Sequence, residues 1–359
     1  MTKTPIPLLI AASGTGGHLF PALAVAEKLT DYQIEWLGVP DRLETRLVPE
    51  SYPLHTIAVE GFQERFGLNT LRIFQRLAGS IRQVRRLLKE RQIELVFTTG
   101  GYIASPTILA ARSLGLPVIL HESNALPGKV TRWFAPFCTS VALGFSEAAQ
   151  YLPRSRTVWV GTPVRSIFLT PQQLDLPIPE SAFLIVVVGG SQGAVAVNQM
   201  VRECAPAWFA AGAYLIHLTG DRDPDVHLLE HPQYLSLPFY ENMAALLQRA
   251  NLAISRAGAG TLTELAVSKT PAILIPYPYA AEDHQAYNAA VFQSAGAALV
   301  YPQAQLTPEI LKTQVLELIA NPAQLAQMAQ QAADLAVTDS SDRLAKLLRL
   351  TLSVQVVKK

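Results

Sequence analysis

The chain has 359 residues, 50% of them hydrophobic and 16% charged, with a formal net charge of +1. That length suits about two soluble domains, and the near-neutral balance excludes a nucleic-acid binder driven by overall charge, so no nucleic-acid partner is expected. Cys138 and Cys204 stand far apart, which excludes a zinc or disulfide framework, and the lack of an apolar run of ~18 residues or a signal-peptide pattern predicts a cytosolic chain.

Residues 8–12 are an apolar run that reads as a buried strand. Three glycines follow at 14, 16 and 17, and then Ala22, Val25, Ala26 and Leu29 recur at helical spacing behind Pro21, which a first helical turn tolerates. A strand, glycine turn and helix in that order point free amides and the positive end of a helix at an anion, most often a phosphate. Leu19 stands where a dinucleotide fingerprint needs its third glycine, and no lysine followed by Ser or Thr closes the turn, so the NAD reading is weak and the P-loop reading fails. Residues 68–92 predict an amphipathic helix. Leu71, Phe74, Leu77, Ile81, Val84 and Leu88 share one face, while Arg72, Arg76, Arg82, Arg86 and Lys89 lie mostly on another. The apolar face suits packing on a sheet, and the basic one suits anionic lipid headgroups, at ~1 kcal/mol per residue near the surface.

The strand, glycine turn and helix recur at 93–115, with Gly100, Gly101 and Tyr102 in the turn, and a further strand at 116–124 ends in polar residues. Alternating strands and helices predict a doubly wound parallel sheet whose ligands gather beyond the carboxyl ends of the strands. Pro171, Pro177 and Pro179 mark a linker, after which a second series opens with a strand, Gly-Gly-Ser-Gln-Gly and a helix over 182–201. The fold expected is therefore α/β, two facing Rossmann-like domains. Asp221 and Asp223 form an Asp-x-Asp pair, but with Pro224 they read better as turn chemistry, and no metal site is expected. In 255–269, Gly258 and Gly260 open a turn, Thr261 and Thr263 offer hydroxyls, and Glu264 is expected in the first turn of the helix, placed for two ribose hydroxyls. Arg256 beside it could neutralise a diphosphate. Residues 306–350 read as helices.

Taken in order, Gly-Thr-Gly-Gly-His (14–18), Gly-Gly-Tyr (100–102), His-Glu-Ser-Asn (121–124), Pro-Val-Arg (163–165), Gly-Gly-Ser-Gln-Gly (189–193), Arg-Ala-Gly-Ala (256–259) with Glu264, and Asp-His-Gln (283–285) resemble the MurG family of bacterial N-acetylglucosaminyltransferases of peptidoglycan synthesis. The resemblance implies a GT-B architecture with a deep interdomain cleft: an acceptor and membrane domain over 1–163, a UDP-GlcNAc domain over 164–339, and a terminal helix over 340–359 packing back on the first. It implies inverting transfer of GlcNAc to the 4-hydroxyl of the muramic acid in undecaprenyl-diphosphate-MurNAc-pentapeptide, without a metal or other cofactor. Work on such an acceptor would put the chain on the cytoplasmic face of the plasma membrane, peripherally, against anionic lipids. By matched motif, Thr15, Gly16, Gly17, Asn124, Arg165, Ser191, Ala259, Gly260, Thr261, Leu262, Thr263, Glu264 and Gln285 carry over as donor contacts, and Tyr240 as a backbone contact to the uracil edge. Ser123 and Thr162 depart from the usual Gln and Asn, and Gly260 adds flexibility to the donor loop.

Transfer requires a base for the acceptor hydroxyl. His18, at the end of the first glycine turn, is the first candidate and Glu122 the second. A UDP-sugar epimerase and a non-catalytic nucleotide-sugar binder on the same scaffold are the alternatives.

Overall fold

The computed structural model describes residues 5–59, 70–190 and 193–356. Contacts divide the chain into two units, residues 1–165 with 338–359 and residues 166–337.

The first unit runs β1 (Ile6–Ala11), α1 (Gly16–Ala26), β2 (Tyr32–Gly38), α2 (Glu44–Leu47), β3 (Leu54–Thr56), α3 (Thr70–Glu90), β4 (Leu95–Thr98), α4 (Ala104–Ser113), β5 (Val118–Glu122), α5 (Lys129–Phe134), β6 (Ser140–Leu143) and β7 (Thr157–Trp159). The strands are parallel, in the order β3-β2-β1-β4-β5-β6-β7. A sheet covered on both faces needs strands that are apolar on both. In β1, Leu8 and Ile10 pack with Leu19, Ala22 and Val25 of α1 on one face. Leu9 and Ala11 pack with Val84 and Leu88 of α3 and Ile108 of α4 on the other.

The second unit runs β8 (Phe183–Val188), α6 (Val195–Ala210), β9 (Ala213–Leu218), β10 (Tyr234–Leu237), α7 (Met243–Arg249), β11 (Leu252–Ser255), α8 (Ala259–Val267), β12 (Ala272–Leu274), α9 (His284–Ser294), β13 (Ala298–Val300), α10 (Pro308–Ile319) and α11 (Pro322–Asp334). Its sheet is parallel too, in the order β10-β9-β8-β11-β12-β13. Ile185 and Val187 of β8 bury against Val201 and Trp208 of α6 and Leu311 and Val315 of α10. The last helix, α12 (Ser340–Val356), belongs to the first unit: Leu344, Leu348 and Leu352 enter that core, and Arg349 pairs with Asp31 at 2.7 Å.

Both sheets reverse their strand order once, between β1 and β4 and between β8 and β11. Crevices form beyond the strand ends at such reversals. The glycine turns sit there in both units, as the two-Rossmann reading requires.

Candidate functional site

In the first unit the chain leaves β1 through Ser13 and Gly14, the latter at φ +102°, a conformation that suits glycine. Thr15 is the N-cap of α1 with an extended backbone and no side-chain cap, and its carbonyl accepts from the amides of His18 and Leu19 at 3.0 and 3.2 Å. Gly16 and Gly17 are thus the first residues of a helix, where backbone amides have no intrahelical acceptor. A Cβ on Gly17 would meet nothing nearer than the Thr15 hydroxyl at 3.7 Å, so the core makes no demand for glycine there and the backbone is left bare. The Gly14 amide, by contrast, faces inward and donates to Glu44 Oε2 at 3.2 Å.

His18 is half-buried, and its Nδ1 lies 2.7 Å from the Thr99 carbonyl. A carbonyl only accepts, so Nδ1 carries the proton and Nε2 of the neutral ring keeps a lone pair. On the facing turn Gly100 and Gly101 have φ +87° and +72°, and a Cβ on Gly101 would lie 3.6 Å from that Nε2. Bare backbone of the facing turn lies against that ring edge.

Glu122, at the end of β5, is bound from every side. Oε1 accepts from the backbone and side-chain amides of Asn124 at 3.0 and 2.9 Å, and Oε2 from the Gly128 amide at 3.2 Å and the Thr131 hydroxyl at 2.6 Å. Its carboxylate braces the turn against α5, and Asn124 is shaped by that brace. His121 beside it is fully buried, donating from Nε2 to the Gly161 carbonyl at 3.1 Å, and burial pushes its pKa down to about 4. Arg165 stacks over Phe20 of α1, with its guanidinium 4.5 Å from the ring centre.

In the second unit Gly189 and Gly190 follow β8, and a Cβ on Gly193 would fall 2.5 Å from the Thr219 carbonyl, so that turn admits only glycine without a shift. Ser191 lies outside the described residues, as do the side chains of Leu71, Arg72 and Phe74. After β11, Gly258 is the N-cap of α8, again with no side-chain cap. One expectation for this segment needs correction. Glu264 is the sixth residue of α8, in its second turn, roughly 7–8 Å along the axis from the helix start, because the helix begins at Ala259. Leu262 is buried in the core, and Thr263 donates its hydroxyl back to the Ala259 carbonyl at 2.9 Å. The exposure of Thr261 and Gly260 is greater than that of either Ala259 or Leu262.

Arg256 does not stand open to a diphosphate. Nη1 donates to the carbonyls of Ile275 and Pro276 at 3.0 and 3.3 Å, Nη2 to Gln303 at 2.7 Å, and burial lowers its pKa. Gln285 has a similar bracing contact: its Oε1 accepts from the amides of Ala257 at 3.1 Å and Tyr277 at 2.9 Å, tying the turns after β11 and β12 together. Tyr240 donates its hydroxyl to Asp175 of the linker, which with burial raises its pKa to about 12. Asp223 is held by Arg202 at 2.7 Å and Asn198 at 2.8 Å, so this half of the Asp-x-Asp pair is committed inside the fold. Asn198 also accepts from His217 at 3.0 Å, and burial pushes that imidazole down to about 3. Apart from Asp223, half of the Asp-x-Asp pair, nothing local in the sequence marks the Asn198, Arg202, His217 and Asp223 cluster or Glu44, whose bonds include partners 19 to 31 residues away.

The chain matches the glycosyltransferase family 28 N-terminal domain over residues 8–143 and the family 28 C-terminal domain over 184–344. It is 69% identical over 349 residues to the UDP-N-acetylglucosamine–N-acetylmuramyl-(pentapeptide) pyrophosphoryl-undecaprenol N-acetylglucosamine transferase of Gloeothece citriformis, covering 97% of each chain. The chain belongs to the MurG family of family 28 glycosyltransferases. A relative with the same designation in a Nostoc species is 68% identical, over 97% of this chain and 99% of its own. Among solved structures, Acinetobacter baumannii MurG superposes with a TM-score of 0.78 at 31% identity, over 96% of this chain and 99% of that one. The N-terminal family 28 match falls in the first unit, with the His18 turn, and the C-terminal match begins at β8 and takes in the Gly258 turn.

Proposed function

We infer that this chain transfers GlcNAc from UDP-GlcNAc to the 4-hydroxyl of the muramic acid in undecaprenyl-diphosphate-MurNAc-pentapeptide, with inversion at the sugar C1. Near-full-length likeness to the Gloeothece transferase supports the activity. The observation that carries the mechanism is the fixed tautomer of His18, whose Nδ1–H is donated to Thr99. In the transfer step the acceptor oxygen forms its bond to C1 as the C1–oxygen bond to UDP breaks. UDP leaves with the electron pair, and the hydroxyl proton passes to His18 Nε2. Glu122, with four donors on its carboxylate, serves better as the brace of the 121–124 turn than as a rival base.

Donor binding falls to the second unit on this reading. The uncapped start of α8 behind Gly258 supplies amides and helix dipole to the diphosphate, which stabilise departing charge, and Ser191 is a further contact on this reading. Glu264 receives the ribose hydroxyls, Thr261 and Gly260 line the approach, and Tyr240 offers backbone to the uracil. Within the second unit Gln285 holds the sugar-side turn and Arg256 the backbone after β12, and within the first Arg165 packs on Phe20 of α1, the helix whose start carries Thr15, Gly16 and Gly17, with Asn124 the remaining donor contact of that unit.

On this reading the membrane contact uses the basic face of α3 together with exposed aromatic side chains of a second segment. Val84 and Leu88 of α3 are buried in the core, while Arg76, Arg82, Arg86 and Lys89 are exposed. Trp133 of α5 is 60% exposed and Phe137 46%, on the same side of the sheet as α3. Basic residues that attract anionic lipid, with aromatic side chains that enter its interface, support peripheral binding at the cytoplasmic face of the plasma membrane.

The test is UDP release from UDP-GlcNAc with and without a lipid-linked muramyl-pentapeptide analogue. Release only with acceptor is the expected result. An interconverted UDP-sugar would make the chain an epimerase, and saturable binding without product a nucleotide-sugar sensor.

A further inference from the structure

Glu44 is fully buried, yet it belongs to a four-residue helix that carries no recognised motif. Its Oε1 accepts from the Ser13 hydroxyl at 2.5 Å and the Val39 amide at 2.7 Å, and its Oε2 from the Gly14 amide at 3.2 Å. Gly38 has no room for a side chain because a Cβ there would lie 2.6 Å from Glu44 Cγ. A buried carboxylate is costly unless donors satisfy it, so these contacts are strongly directional. They join the end of β2 to the turn after β1, and they turn the Gly14 amide inward. The amides left at the start of α1 are those of Gly16 and Gly17, the two residues immediately before His18.

We propose that Glu44 is a positioning residue for transfer to the acceptor: through Ser13 and Gly14 it sets the turn that aims the Gly16 and Gly17 amides and the His18 ring. The proposal rests on the reading of His18 as the base on the acceptor side. A carboxylate is needed because both of its oxygens accept. An amide of the same shape would present N–H either to the Gly14 amide or to Ser13 and Val39, leaving at least one donor opposed by another.

Steady-state kinetics in both substrates for Glu44→Gln, Ser13→Ala, His18→Ala and the Glu44→Gln/His18→Ala pair test this. Glu44→Gln is expected to lower kcat/KM for the acceptor by about 10-fold or more with a smaller rise in the KM for UDP-GlcNAc through Gly16 and Gly17, and the double variant should be no more than about 3-fold slower than His18→Ala alone. Ser13→Ala, which removes one of the contacts, should give the same pattern at about 3-fold. Losses that multiply in the double variant, or an equal loss in donor KM, would overturn the proposal. Should Glu44→Gln fail to fold, Ser13→Ala decides: wild-type acceptor kinetics would make Glu44 a folding residue only. A wild type that releases no UDP with acceptor present would instead overturn the functional reading beneath it.

Discussion

Lowering the pH should loosen the first unit through His121, and the size of the effect follows from its burial. The ring is fully enclosed, donates Nε2–H to the Gly161 carbonyl and accepts at Nδ1 from the Ser123 hydroxyl at 3.4 Å. Burial drives its pKa from 6.5 to about 4, with His18 nearby adding to the fall and Glu122 opposing it. The folded pKa lies below the unfolded one, so the unfolded chain takes up the proton first as pH falls. Stability is full above about 6.5 and is lost progressively down to about 4, at ~1.4 kcal/mol per pH unit. Between pH 6.5 and 5 this one ring should cost ~2 kcal/mol, and ~3 kcal/mol over the whole window. Urea unfolding at pH 7.5 and 5 measures it, with His121→Gln as the comparison, since glutamine keeps a donor for Gly161 and does not titrate. The variant should lose ~2 kcal/mol less than wild type over that interval. Equal losses in the two proteins, or a His121 imidazole signal that titrates near 6.5 in the folded chain, would refute the argument. The same sign applies to His217 in the second unit, whose window runs from 6.5 down to about 3.

If Glu264 receives the ribose, Glu264→Ala should weaken UDP binding by ~1.5–3 kcal/mol, measured by calorimetry, and a deoxyribose donor should lose little more in that variant. Equal discrimination against deoxy donors in both proteins would remove Glu264 from the site. His18→Ala should lower kcat by roughly 10²- to 10⁴-fold with a modest change in donor KM; a collapse of donor affinity with kcat intact would mean the ring binds phosphate. In co-sedimentation with anionic vesicles, Arg76, Arg82 and Arg86 changed together to Gln should weaken binding most at low salt, whereas Trp133→Ala should weaken the part that survives high salt. Binding equal to wild type in both variants would move the membrane contact elsewhere.

The glycine turns were legible because φ and bare backbone are local properties: Gly14, Gly100 and Gly101 adopt positive φ, and alternating strand and helix patterns already implied where the turns had to stand. Both sheets followed from the same alternation. Arg256 has structural partners that its place in the sequence does not reveal. An arginine beside a glycine turn resembles a phosphate ligand in one dimension, but its guanidinium reaches Ile275, Pro276 and Gln303, contacts 19 to 47 residues away. Glu264 moved out of the first turn because Ala259 and Gly260 already lie inside the helix, and glycine pairs read more naturally as the turn before one. On α3 the spacing separates two faces and Val84 and Leu88 fill the core as the apolar face requires, yet that spacing says nothing of Trp133, an exposed apolar side chain on another element. The same asymmetry explains Glu44. A buried carboxylate can fix an anion-binding turn from 30 residues away, and its identity rests on counting acceptors in three dimensions, so the residues that shape this site lie partly outside the motifs that announce it.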